Sequence, residues 1–292
     1  VLRVTPSLPA DRAAWLDLAR EVEPLFGPLR SNPDFQAALD RALARGSAFC
    51  VREVGAPGNP LLGGLLWSAH PPRYTVGWLA VAERARRRGI GRRLLDTALA
   101  QVAPPATIHL TTFADAVPGG EAARRFYTRV GFQPAGPAPA NPAGLPCQEL
   151  SLTLTRQSTA RAVIASGQSY LLAQHHYADP ANFGKWSLLG GRIEPGERDP
   201  EAALRRELSE ELSAPPVEVQ PLHVYTHGER LHHVFKARLD DTAFPLRANP
   251  QEIAALGWFT FVEVEALRRS GALLGPFVFD AIRDRENERF RS

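Results

Sequence analysis

Glu207, Glu210 and Glu211 stand at i, i+3 and i+4 in the run Arg206-Glu207-Leu208-Ser209-Glu210-Glu211. On a helix that spacing puts the carboxylates on one face. Like charges so placed cost an isolated helix about 0.2–0.5 kcal/mol per pair. A cation offsets that repulsion, and carboxylate oxygens suit a hard ion, Mg²⁺ or Mn²⁺. A glycine turn, Gly191-Arg192-Ile193-Glu194-Pro195-Gly196-Glu197, precedes the helix. Asp199 can cap the helix and Pro200 suits its first turn.

A second group lies far upstream, in Leu79-Ala80-Val81-Ala82-Glu83-Arg84-Ala85-Arg86-Arg87-Arg88-Gly89-Ile90-Gly91. A strand turns into a helix here, and Gly89 and Gly91 let backbone N–H groups approach a ligand. The helix N-terminus favours anions, and Arg86, Arg87 and Arg88 add positive charge at the same point. The segment therefore reads as a pyrophosphate cradle around Gly89, Ile90 and Gly91. Its glycine spacing is not that of a dinucleotide fold, and no phosphate-loop lysine follows.

A chain of 292 residues with 44% hydrophobic content has room for two cores. The pattern predicts helices over Asp11–Glu21, Pro33–Arg45 and Glu121–Val130, and strands over Leu61–Ser68, Thr75–Val81, Thr107–Thr112 and Gln148–Leu154. The Pro-, Ala- and Gly-rich stretch from Pro134 to Pro146 reads as a loop. Strands recur over Arg161–Ile164, Tyr170–Gln174, Val217–Thr226, Leu231–Leu239 and Gly257–Phe261. Helices over Val262–Arg269 and Phe277–Arg289 close the chain. Polar residues at Thr155–Thr159 set a boundary, giving domains over 1–156 and 157–292. The fold class is α/β (α+β) in both. The first domain is basic and the second acidic, which points to different ligands.

The net charge of +3 is modest, and the arginines concentrate in one loop, so nucleic acid is not the expected partner. No run has the length of a membrane helix. The N-terminus shows no signal-peptide pattern, and Cys50 and Cys147 make no disulfide framework, so a cytoplasmic protein is expected.

The acidic segment resembles the signature of the Nudix hydrolases: glycine, five residues, Glu, then Arg-Glu-hydrophobic-x-Glu-Glu-x-Gly. Gly191 and Glu197 keep the first spacing. Eight residues rather than seven separate Glu197 from Arg206, an insertion placed at Arg198-Asp199-Pro200, and Ser213 replaces the last glycine. The resemblance implies an α/β/α sandwich with a mixed sheet. It implies Mg²⁺ or Mn²⁺ held by Gly191 through its carbonyl and by Glu207, Glu210 and Glu211, with Arg206 orienting. It further implies a metal ligand or base at Glu252, and hydrolysis of a nucleoside-diphosphate-linked compound. The insertion puts the role of Glu197 in question. Phe183 and Trp186, near the implied nucleotide pocket, read first as core aromatics.

The basic segment resembles the acyl-CoA loop of the GNAT acetyltransferases, Arg/Gln-x-x-Gly-x-Gly/Ala, matched by Arg86, Gly89 and Gly91. Ala123-Arg124-Arg125-Phe126-Tyr127-Thr128-Arg129-Val130-Gly131-Phe132 matches that family's second motif. The resemblance implies a mixed sheet flanked by helices, and acetyl-CoA as cosubstrate. Leu79 and Val81 would lie on the strand that pairs with the pantetheine arm, and Tyr127 would protonate the departing thiolate. Glu21, Glu23 and Glu83 are candidates for the base by position alone. The alternative to a two-domain enzyme acting on small molecules is a sensor, in which one domain binds CoA or a nucleotide without turnover and governs the other.

Overall fold

The computed structural model describes residues 2–53, 57–177, 179–197, 199–212, 216–240 and 246–289. Arg198, in the inserted stretch, and Ser213, in place of the signature glycine, lie outside the described residues. The chain forms two compact units, Val1–Leu154 and Thr155–Ser292. Thr155 and Arg156 open the second, both N–H groups bonded to the Glu229 carbonyl at 3.1 and 3.2 Å. No described helix is long and apolar enough to cross a membrane.

The first unit runs β1 (Thr5–Pro6), α1 (Arg12–Glu21), α2 (Glu23–Phe26), α3 (Pro33–Arg45), β2 (Ala48–Arg52), β3 (Leu61–His70), β4 (Arg73–Val81), α4 (Ile90–Leu99), β5 (Ala106–Phe113), α5 (Glu121–Val130), β6 (Gln133–Ala138) and β7 (Cys147–Leu154). Its sheet has the order β1-β2-β3-β4-β5-β7-β6. Among the described residues only the β4–β5 pair is parallel, and it is joined through Arg73–Val76. Beyond Val76 the two strands part, which leaves the edge of β4 at Leu79 and Val81 free of β5. A register shift between β3 and β4 sits at the same level, and such a bulge frees backbone groups from the ladder.

Local chemistry explains the helix ends. Asn32 accepts from the N–H groups of Asp34 and Phe35 at 2.8 and 3.1 Å, and Pro33 opens α3. The stretch expected to be a loop after Pro134 begins as β6, an exposed strand on β7. Its prolines are tolerated because it lies at the sheet edge, where one side needs no ladder donors.

The second unit runs β8 (Thr159–Ser166), β9 (Ser169–His175), β10 (Trp186–Ser187), α6 (Pro200–Leu212), β11 (Pro216–His227), β12 (Arg230–Leu239), β13 (Ile253–Thr260), α7 (Phe261–Arg269) and α8 (Pro276–Arg289). The sheet order is β10-β9-β8-β12-β11, and β13 also pairs β9. β8 and β12 are parallel. Alternation along β8 gives the sheet two apolar faces. Ala160 and Ala162 pack with Leu189 against Leu204 and Leu208 of α6. Val163 packs with Val234 against Phe277, Val278 and Ile282 of α8. The result is the expected layered α/β/α arrangement.

One buried ion pair ties the first unit together. Asp11 is fully buried and accepts from Arg52 Nε at 3.0 Å and from the N–H groups of Leu8 and Gly58 at 2.7 and 2.8 Å. Burial alone would raise the Asp11 carboxyl. Arg52 and the two N–H groups outweigh it and hold the carboxyl below its ordinary value. Because the folded value is depressed, the stabilisation is present above the unfolded value of 3.8 and is lost as pH falls through the folded value. Asp11→Asn is expected to destabilise the first unit by about 3–5 kcal/mol, since it leaves Arg52 buried without its charge partner. Denaturant titration at pH 7 checks the loss. At pH well below the folded value the difference from wild type should shrink.

Candidate active sites

In the second unit, α6 starts as its sequence dictates. Asp199 accepts from the Glu201 N–H at 2.9 Å, and Pro200 is the first helical residue. Leu204, Leu208 and Leu212 bury one stripe of α6, which turns Glu207 and Glu210 toward the glycine turn. The Glu207 carboxylate lies where a Cβ on residue 191 would stand. Burial raises the Glu207 carboxyl above its usual value and Glu211 adds to this, while Arg206 opposes it.

Arg206 gathers the acidic groups. Its Nη1 donates to Glu207 at 2.9 Å and to Glu210 at 3.2 Å. Its Nε and Nη2 grip both oxygens of Glu197 at 3.1 Å each, and Nη2 also reaches the Arg192 carbonyl. Glu197, whose role the inserted residue left in question, is thus the clamp on Arg206. Arg206 and the Glu194 N–H lower its carboxyl. Glu197 first, then Glu207, raises Arg206 above its ordinary value.

Glu211 turns inward. It is buried, and its oxygens accept from the Gly190 N–H and from His175 Nε2, both at 2.7 Å. The Glu252 loop docks on the same helix end, where the Asn249 N–H meets the Glu211 carbonyl at 2.7 Å. The Glu252 carbonyl accepts from the His176 N–H, and Ile253 pairs with His175. The structure therefore brings Gly191, Arg206, Glu207, Glu210, Glu211 and the Glu252 loop to one end of α6. Among the described residues no three His, Cys, Asp or Glu side chains converge as metal ligands. Glu207 and Glu210 meet at Arg206 instead.

The site still suits a hard dication. The donors are all oxygen, the missing Cβ of Gly191 leaves room for the Glu207 carboxylate, and that half-buried carboxylate feels the buried one of Glu211.

Two residues here were not foreseen. Arg161 of β8 is buried and donates through Nη1 to the carbonyls of Leu188 and Gly190, strapping the glycine turn. His175 of β9 holds Glu211. Neither belongs to a local motif, and strand register alone brings them in. Phe183 is not core, being 63% exposed. Trp186 packs edge-on to Phe259 at 4.6 Å.

In the first unit, Arg86, Arg87 and Arg88 are exposed ahead of α4. Arg87 has φ +62°, and Gly89, at the start of the helix, has φ +75°. A Cβ on Gly91 would meet Val81, Leu79 and Phe126 at 3.6, 3.7 and 3.9 Å. The start of α4, the free edge of β4 and α5 are therefore neighbours. Tyr127 is buried, and burial raises its phenol above the ordinary value. Gly131, with φ +110°, ends α5 so that the Phe132 N–H returns to the Tyr127 carbonyl and the rings meet at 5.8 Å. That contact explains the Phe-Tyr…Gly-Phe spacing.

Two of the carboxylates proposed by position are engaged elsewhere. Glu21 accepts from the Glu83 N–H and faces Arg84 at 3.6 Å, and Glu23 accepts from the Arg30 N–H. A pair missed in sequence is His109 of β5 with Glu149 of β7, 2.7 Å apart and half-buried.

Residues 155–278 match the family model of the NUDIX domain, and residues 45–134 match that of the Acetyltransferase (GNAT) domain. A NUDIX hydrolase from Nitrosomonas europaea is similar at 23% identity over 46% of this chain and 90% of its own, with TM-score 0.39. A GNAT-family acetyltransferase from Bacillus cereus is similar at 17% identity over 53% of this chain and 99% of its own, with TM-score 0.41. A chain of a NatC complex bound to Gag peptide and CoA is similar at 19% identity, over 53% and 99%, with TM-score 0.42. No curated protein matches.

The adjacent glycines separate shape from function. A Cβ on Gly190, at φ +106°, would strike the Ala160 carbonyl, which belongs to the backbone. A Cβ on Gly191 would strike only the end of the Glu207 side chain, which can swing away. Gly190→Ala is expected to destabilise the second unit by about 1–3 kcal/mol or more. Gly191→Ala should leave the melting temperature within a few degrees of wild type while displacing Glu207. Thermal unfolding of the two variants checks the contrast.

Proposed function

Because the chain joins a GNAT acetyltransferase domain to a NUDIX domain, we propose that it is a two-domain enzyme acting on small molecules. The second unit hydrolyses a diphosphate linkage in a nucleoside-diphosphate-linked compound. The first transfers an acyl group from acetyl-CoA to an amine. The observation that carries the hydrolase reading is the Glu207 carboxylate seated on Gly191 and sharing Arg206 Nη1 with Glu210.

Glu207, Glu210 and the Gly191 carbonyl would hold Mg²⁺ or Mn²⁺, and Glu211 would join them through lone pairs that Gly190 and His175 leave free. When bound, the ion supplies charge neutralisation at the phosphates and a more acidic water. The chain's own groups do the remaining work. Glu197 holds Arg206 by two oxygens, and Arg206 in turn orients Glu207 and Glu210. Arg161 and the Ala160 N–H fix the glycine turn through the carbonyls of Gly190 and Gly191. Glu252, in the loop that Asn249 ties to α6, takes a proton from the attacking water.

In the first unit the free edge of β4 at Leu79 and Val81 offers backbone groups to the pantetheine arm. Arg86, Arg87 and Arg88, with the N–H groups around Gly89, Ile90 and Gly91, take the pyrophosphate. Burial keeps the Tyr127 phenol protonated, so it has a proton to give to the leaving thiolate.

Glu207→Gln and Glu210→Gln should each lower Mg²⁺-dependent hydrolysis at least about 100-fold, the upper end of what losing even an outer-sphere partner costs. A mass-spectrometric screen of nucleoside-diphosphate compounds reads this, and unchanged turnover in both variants would sink the assignment. Tyr127→Phe should lower kcat of acyl transfer by about 100-fold with little change in acetyl-CoA affinity. Steady-state kinetics with a panel of amines checks it, and an unaltered kcat would remove Tyr127 from the chemistry.

A further inference from the structure

Part of one face of the first unit's sheet is polar. The Trp78 ring packs on Trp15, Phe26 and Phe35, so this face lies against α1, α2 and α3. Leu66 pairs with Trp78, and Ser68, two residues further along β3, points the same way. Register then carries one row across four more strands. Ser68 pairs with Thr75, Thr75 with His109, His109 with Ser151, and Ser151 with Gln133. Paired residues share a face, and the register shift after Leu66 brings Thr75 round to this one. The row runs from half-buried at Ser68, Thr75, His109 and Ser151 to exposed at Gln133. The neighbouring Val76, Ile108, Leu110 and Leu150 are buried on the other face.

His109 has a particular place in this row. Its neighbour Leu110 pairs with Val76, the last residue of β4 that β5 holds. His109 therefore stands at the fork where the two strands part. An acyl-CoA held as proposed has its pyrophosphate past the end of β4, near Gly89. Its pantetheine arm runs back along Val81 and Leu79, which directs the thioester end toward the fork. The helix that carries Tyr127 lies on the opposite face. Its Phe126 neighbours Gly91 together with Leu79 and Val81, and a Cβ on Gly63, the partner of Val81, would meet Ile90 and Leu94 of α4.

The chemistry of His109 is set by Glu149. Nδ1 and a Glu149 oxygen lie 2.7 Å apart. A carboxylate only accepts, so Nδ1 carries the hydrogen and donates it. Nε2 keeps its lone pair, and it meets no partner among the described residues. A second imidazole on this face, His70, is bonded to Ser68 at 3.0 Å, and β4 separates both from β5. Glu21 and Glu23 are held by backbone N–H groups elsewhere.

We propose that His109 is the general base of acyl transfer, that Glu149 is its positioning residue, and that the acceptor is a primary amine approaching over the polar row. This rests on the acyltransferase reading of the first unit. The amine nitrogen forms a bond to the thioester carbonyl carbon as the carbon–sulfur bond breaks. His109 Nε2 takes the proton that the nitrogen sheds, and Tyr127 gives its phenolic proton to the sulfur. Base and acid thus act from opposite faces of the sheet at the fork. Exchange with water returns the proton from His109 to Tyr127. The Glu149 carboxylate holds the tautomer beforehand and stabilises the imidazolium as it forms.

The test uses the full chain with acetyl-CoA and a panel of primary amines that includes ethanolamine, spermidine and benzylamine, read as release of free CoA. His109→Ala should lower kcat by about 100-fold or more, with acetyl-CoA affinity by calorimetry unchanged. Added imidazole should restore turnover in proportion to its concentration, which a structural role would not allow. His109→Gln keeps a donor for Glu149 but cannot take the proton. It should melt with wild type and be as slow as His109→Ala. Glu149→Gln should lower kcat about tenfold while KM for the amine and the melting temperature stay unchanged. His70→Ala should keep wild-type kcat. Full activity in His109→Gln, a loss in His109→Ala that imidazole does not reverse, or an equal loss in His70→Ala would overturn the proposal and leave the acyltransferase reading standing. A wild-type chain that acylates no amine of the panel would overturn both.

Discussion

The Glu207 carboxylate occupies the space that a side chain on residue 191 would fill, and the second unit is arranged around that contact. The glycine turn can accept it only while its own path is fixed. Arg161 holds the carbonyls of Leu188 and Gly190, the Ala160 N–H holds that of Gly191, and Glu211 holds the N–H of Gly190. Three of these four hydrogen bonds come from the strand and one from the helix, so sheet, turn and helix are locked at a single point. Burying carboxylates there is unfavourable by itself. Arg206 offsets part of that cost, and Glu197 restrains Arg206.

This arrangement divides labour among three glutamates of one helix. Glu211 is bonded to the protein through Gly190 and His175, whereas Glu207 and Glu210 share Nη1 of Arg206. A cation arriving at Glu207 and Glu210 has only the Arg206 Nη1 contacts to displace. Arg206 would keep its grip on Glu197. In the first unit the parting of β4 from β5 beyond Val76 leaves the β4 edge at Leu79 and Val81 unpaired with β5.

How much of this was legible in the sequence follows from range. The acidic face was readable because 3.6-residue periodicity places Glu207, Glu210 and Glu211 without knowledge of the rest of the fold. Tyr127 and Gly131 were readable for the same reason, one helix and its terminus. Arg161, His175 and the His109–Glu149 pair were not, because each acts through strand register across tens of residues. Glu197 was half-legible: its spacing to Gly191 was kept, but its clamp on Arg206 is a loop-to-helix contact that an inserted residue obscured. The β6 strand was misread because its prolines are excluded only from strands paired on both sides.

The central claim is that the glycine turn and α6 form a divalent-cation site. Electron paramagnetic resonance of free Mn²⁺ during titration into the full chain tests it most directly. The account predicts saturable binding that Glu207→Gln abolishes or weakens by at least about tenfold. Absence of bound Mn²⁺, or binding indifferent to Glu207, would contradict it.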